Sequence, residues 1–165
     1  MKSILKFAQY ASITLVLAGS AQAALAEQAT ATGGWVADFS PAMMETEKRS
    51  TVIFQLEGSY KLVTASKGDL YFLLNCVGKE AATKISDTET QTKGDGRCEL
   101  KDKQGDKMLA AMETAFDGFT LKVDGGTGKW ATTRGTLVSK ETFTVETERQ
   151  LKGYSNMKGE LQFKK

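Results

Sequence analysis

Apolar and polar side chains alternate with a period of two along most of the chain, the pattern of strands that bury one face. Trp35, Ala37 and Phe39 alternate with Val36, Asp38 and Ser40 after Gly33-Gly34, and the only proline, Pro41, ends that strand. Before it, the small-residue leader Ala24 to Thr32 carries no strand signal, and after it the charged segment Met43 to Arg49 reads as a loop or an edge and is assigned no element. From Val52 to Thr64 the set Phe54, Leu56, Tyr60 and Leu62 keeps one parity straight through Gly58. That segment is either one long strand bent at its glycine or a hairpin turning at Glu57-Gly58-Ser59. Beyond a turn at Ser66 to Asp69, Leu70, Phe72, Leu74 and Cys76 line one face of the next strand.

Residues 78 to 96 are polar and end in Gly94-Asp95-Gly96, which reads as a long loop or a weak edge strand. Cys98 and Leu100 then share an apolar face, and Asp102 to Asp106 forms a turn. Met108 to Phe116 suits a strand, with a short helix as the competing reading, and Asp117-Gly118 marks a hairpin into Phe119, Leu121 and Val123. After the glycine-dense stretch from Gly125 to Gly128, Gly135, Leu137, Ser139, Phe143 and Val145 keep one parity, as do Leu151, Met157, Leu161 and Phe163. Short alternating strands joined by glycine turns, with inward glycines at Gly58, Gly135, Gly153 and Gly159, predict an all-β fold. The pattern fits an antiparallel barrel or a sandwich, and the expected architecture is the closed antiparallel barrel of about eight strands, because closure removes exposed edges.

The first residues change the picture of where this barrel works. Lys2 and Lys6 precede a mostly apolar run from Phe7 to Ala18 and small residues at Gly19, Ser20, Ala21 and Ala23, the layout of a secretory signal peptide. Cleavage after Ala21-Gln22-Ala23 leaves a single domain over residues 24–165, with Ala24-Leu25-Ala26 as the alternative cleavage site. The competing reading, a membrane anchor, meets an apolar run shorter than the roughly 20 residues a bilayer demands. Ser20 stands where a lipoprotein signal would place its cysteine. The expected location is periplasmic or secreted, with no membrane contact after cleavage.

Removing residues 1 to 23 takes two of the 22 basic residues and none of the 20 acidic ones, so the remaining chain is formally neutral. That balance gives no reason to expect nucleic acid as a partner. Export puts Cys76 and Cys98 in an oxidising compartment, and with only two cysteines a disulfide has one possible pairing; two buried free thiols are the alternative. With no histidine anywhere, Ser-His-Asp and Cys-His catalysis and His-based metal sites are excluded, and no metal or cofactor is expected.

The stretch Val123-Asp124-Gly125-Gly126-Thr127-Gly128-Lys129-Trp130 invites a phosphate-loop reading, but its spacing fails. Val123 and Trp130 occupy positions where a P-loop needs Gly and Ser or Thr, and Ala131 stands where the dinucleotide fingerprint needs Gly. The structural reading is a tight corner in which Gly125, Gly126 and Gly128 permit positive φ while Trp130 packs over the barrel end. This corner, with Thr133-Arg134-Gly135 opening the next strand, resembles the matching segment of dirigent proteins and allene oxide cyclase-like barrels. The resemblance covers roughly 20 residues well and the order of β elements weakly. It implies an eight-stranded antiparallel barrel of calycin-like shape with a central cavity, similar in plan to bacterial exported proteins that carry a Cys pair before this corner. The acidic and basic cavity residues of those families find no match in this chain, so their activities are not carried over. Barrels of this resemblance often associate, which admits a homo-oligomer.

One residue suggests chemistry. Glu141 shares the parity of Leu137 and Phe143, so a regular strand points its carboxylate into the barrel, whereas a bulge between Ser139 and Phe143 would turn it out. Tyr60, Phe72, Trp35 and Phe143 are the candidates to line a cavity with it. The leading expectation is a binder of a small apolar molecule in that cavity. The alternatives are an enzyme of cyclase or isomerase type using the same cavity and one acid, and an inhibitor-like protein-binding barrel acting through residues 78 to 96.

Overall fold

The computed structural model describes residues 26–115, 117–147 and 149–163. The expected signal peptide and the start at Ala24 lie outside the described residues, as does Phe116. The strands are β1 (Ala26–Phe39), β2 (Met43–Thr46), β3 (Arg49–Thr64), β4 (Gly68–Lys84), β5 (Thr90–Asp102), β6 (Lys107–Ala115), β7 (Gly118–Gly126), β8 (Arg134–Glu146) and β9 (Gln150–Gln162). One 3-10 turn, Gly128–Trp130, interrupts them, and among the described residues no helix is long and apolar enough to cross a membrane.

Eight long strands form one antiparallel sheet in the order β1-β9-β8-β7-β6-β5-β4-β3, and β1 also pairs with β3, which closes the barrel. The short β2 adds only a flap on the start of β3. Alternation then sorts the side chains. Leu62, Leu74, Leu121, Leu137 and Leu161 point inward and are fully buried, while their neighbours along each strand face solvent. The all-β closed barrel with one disulfide, expected from the parity pattern, is the observed fold.

Cys76 and Cys98 are directly opposite in the β4–β5 register, and both side chains are buried inside the barrel. Their bond therefore staples neighbouring staves at a place where alternation had already put both sulfurs on the inner face.

One expectation about elements changes, and two open choices are settled. The leader is not featureless: β1 begins at Ala26, with Ala29 and Ala31 buried. Alanine and threonine carry little strand signal of their own, but this segment pairs on both sides, Ala29 with Thr64 and with Gly159, so the ladder supplies what the side chains do not. Of the two readings of segment 78 to 96, strand is the observed one: it forms the paired ends of β4 and β5, from Gly78↔Gly96 to Lys84↔Thr90, and the pairing of β5 with β6 begins only at Gly94, which leaves Thr90 to Lys93 at an edge. A protein-binding loop is thereby reduced to the tip, where Ile85 and Ser86 donate backbone hydrogen bonds to the carbonyl of Glu89. Finally, β3 is one continuous strand through Gly58, where a Cβ would press on the Tyr60 ring and on the Gly34 carbonyl.

Candidate functional site

The two ends of the barrel are built differently. At one end the chain leaves β7 through the glycine corner, and a bulge around Asp124 shifts the β6–β7 register as it does so. Gly125 (φ 137°) and Gly128 (φ 51°) take the left-handed region as expected. Gly126 does not; it is required for closeness, because a Cβ there would run into the carbonyl of Lys107. Thr127 pins the corner to β6, its amide donating to the Lys107 carbonyl at 2.8 Å and its hydroxyl accepting from the Lys107 amide at 2.9 Å.

These constraints lay Trp130 across the barrel mouth, 2% exposed, with ring centroids 5.5 Å from Phe72 and 6.0 Å from Phe163. Its indole N–H donates to Asp102 Oδ2 at 2.9 Å, and Lys129 Nζ approaches the same oxygen at 2.7 Å. Asp102 Oδ1 meanwhile accepts from the amides of Gln104 and Asp106, so one carboxylate ties the β5–β6 turn to the plug. Burial pushes the Asp102 carboxyl up, but the hydrogen bonds from Lys129, Trp130 and Gln104 together outweigh it and hold the pKa down at about 2.

A group depressed in the folded state stabilises the fold above its unfolded value and loses that contribution as pH falls through its folded value. Acid titration of stability should therefore show a loss between about pH 4, the ordinary aspartate range, and about pH 2 that Asp102→Asn lacks, read by urea melts across that window. A wild type and variant with the same acid slope would remove this role.

The other end is hollow. A cavity of about 570 Å³ opens there, walled by Trp35, Phe54, Met112, Phe119, Phe143 and Leu151 among others. Its wall carries three acids, Glu80, Asp117 and Glu141, and no Lys or Arg among the described residues.

Glu141 points inward. The strand is regular where it sits, opposite Ser155 in the β8–β9 register, and the bulge falls later, between Phe143 and Val145. Three donors hold its carboxylate: Trp35 Nε1 on Oε2 at 2.5 Å, Ser155 Oγ on Oε2 at 2.8 Å, and Ser139 Oγ on Oε1. Because the one hydroxyl proton of Ser155 goes to Glu141, the 2.9 Å contact between Tyr60 and Ser155 must have the phenol as donor. The result is a directed chain, Tyr60 to Ser155 to Glu141. Burial pushes the Tyr60 phenol well above its usual range; the bond to Ser155 opposes this and the charge of Glu141 adds to it.

Of the residues expected around a cavity, Trp35, Glu141 and Phe143 line it, the two rings meeting edge to face with centroids 5.9 Å apart. Tyr60 and Phe72 do not line it. Tyr60 lies one shell deeper and reaches the cavity only through Ser155 and Glu141. Phe72 belongs to the plugged end, against Trp130, because inward parity names the face of a strand and not the height along it.

Sequence reasoning missed Glu80, Thr114, Ser155 and Asp102. Glu80 has the inward parity of Phe72, Leu74 and Cys76, a signal masked by the polar residues around it. Thr114 Oγ1 donates to Glu80 Oε2 at 3.0 Å, and burial raises the Glu80 carboxyl while that bond opposes it. Among the described residues no three His, Cys, Asp or Glu side chains converge as a metal site.

Fold and site together define an antiparallel β-barrel of cup form, plugged by a tryptophan at one end and hollow at the other. No protein-family model and no curated protein matches the chain. Among solved structures it is similar to the pterocarpan synthase dirigent protein GePTS1, at 13% identity and a TM-score of 0.44, over 94% of this chain and 100% of that one. The barrel assignment rests on strand order and register, not on that superposition.

Proposed function

We propose that this chain is an exported barrel that binds a small apolar molecule in its open cavity. The observation that supports this most is the asymmetry of the interior: leucines and Trp130 fill one half, while aromatic and aliphatic side chains surround about 570 Å³ of space in the other. A chain selected only as a scaffold gains by filling such a space, since voids cost packing energy. The disulfide supports an oxidising compartment.

The reading is tested at the rim. Thr92 is half-buried, has the inward parity of Cys98 and Leu100 and lines the cavity near the start of β5, so Thr92→Trp obstructs entry without overpacking the core. Native mass spectrometry of protein from its own host should show a retained apolar molecule, and a neutral hydrophobic dye should bind wild type but at least about tenfold more weakly to Thr92→Trp at unchanged melting temperature. A cavity that is empty in the mass spectrum and indifferent to the dye would end the proposal.

The hydrogen-bonded set around Glu141 favours a second reading, an enzyme of cyclase or isomerase type. Three donors fix the carboxylate against an apolar wall, the preorganisation a positioned acid or base requires. Conversion of the molecule retained from the host, lost in Glu141→Gln while binding persists, would select this reading over plain binding.

A further inference from the structure

We propose that the open cavity selects an amphiphilic organic cation, an apolar or aromatic body carrying one ammonium group, over a neutral or anionic molecule of the same shape. The inference rests on the reading of the cavity as a ligand site, and adds the charge of the ligand.

The first argument is the sign of the wall. On the outer surface acids meet bases, as in Lys61–Asp69, Arg97–Asp124 and Lys107–Glu99. Inside the cavity they do not: Glu80 and Glu141 make no ion pair among the described residues, and their polar partners are hydroxyls and an indole. Carboxylates in an apolar cavity without a counter-charge repel anions and attract cations more strongly than they would in water.

Position is the second. In the closed order of eight strands β8 and β4 are four apart by either route, so Glu141 and Glu80 face each other across the barrel. A charged group entering along the axis meets both.

Spare capacity is the third. A carboxylate offers about four acceptor directions, and the three donors on Glu141 leave one. Glu80 accepts from Thr114 alone, and the upward shift of its carboxyl by burial is the strain that a bound cation would relieve. The rings of Trp35, Phe54, Phe119 and Phe143 complete the site, since an aromatic wall takes both an apolar body and a cation against its π-faces.

Calorimetry with three ligands on one naphthyl body tests this: naphthylmethylammonium, naphthylmethanol and naphthoate. The ammonium should bind at least about tenfold more tightly than the alcohol, and the carboxylate most weakly. In Glu80→Gln and Glu141→Gln, each checked for folding by thermal melt, the preference for the ammonium should shrink toward unity while affinity for the alcohol holds. Equal or tighter binding of the alcohol or carboxylate overturns the cation inference and leaves the cavity reading standing. Failure of all three ligands to bind overturns both. A preference that survives in both variants shows that the two carboxylates are not its origin, and the inference falls.

Discussion

Trp130→Ala is expected to cost about 3–5 kcal/mol of unfolding free energy, near the upper end of what one side chain contributes. Three losses add up. The indole is buried between Phe72 and Phe163, so its removal leaves a void at the barrel end. Asp102 loses its buried indole donor, and Oδ2 is left with the half-exposed Lys129 ammonium alone. Water then gains a path to a core of leucines that alternation had packed with no other cover. Urea denaturation followed by circular dichroism measures the change, and Trp130→Phe narrows the terms by keeping one aromatic ring between Phe72 and Phe163 while losing the N–H and part of the indole volume. A double-mutant cycle of Trp130→Phe with Asp102→Asn should show coupling of roughly 0.5–3 kcal/mol. If Trp130→Ala unfolds within about 1 kcal/mol of wild type, the corner does not seal the barrel.

The second large effect is expected from the staple. Replacing both Cys76 and Cys98 by Ala should lower stability by roughly 3 kcal/mol, the chain-entropy value for a loop with a sequence separation of 22. The expectation is sharpened by register: the bond joins residues that the β4–β5 ladder places opposite each other anyway, so releasing it frees the unfolded chain without relaxing the folded one. Oxidised wild type and the double variant should therefore share a circular dichroism spectrum and differ in urea midpoint. A variant with an altered spectrum would mean that the bond sets the pairing instead of following it.

Both predictions concern features that were legible in the sequence for a simple reason. Period-two alternation reports the buried face of a strand directly, and it marks Leu56, Leu74, Cys98 and Leu137, all buried in the barrel, as sharing that face. The corner was legible because three glycines around one tryptophan have few explanations in an all-β chain. Where the reading went astray, the missing information was of another kind. Ala29 and Ala31 are strand residues through their partners on β3 and β9, which lie more than 30 and more than 120 positions away and leave no local mark. Phe72 and Trp35 share an inward face yet stand at opposite ends, because alternation fixes a residue's side of the sheet and strand stagger fixes its depth. Glu80 was hidden among surface polar residues, since a composition window averages over exactly the alternation that distinguishes it. For Glu141 parity left two readings, inward on a regular strand or outward through a bulge, and its three donors come from β1, from β9 and from its own strand. Only the closed register brings them together.

That closed register also fixes the order in which the protein can be made. β1 is complete near the start of the chain and already has β3 beside it, but its other edge waits for β9, the last strand, in the pairing that runs from Ala26↔Gln162 to Asp38↔Gln150. Until those residues leave the ribosome, β1 and β8 present bare amides and carbonyls to whatever is near. Late, long-range pairing of this kind is slow. The barrel therefore stays an open sheet until β9 docks between β8 and β1, and its closure is a single late event that joins strands far apart in the chain.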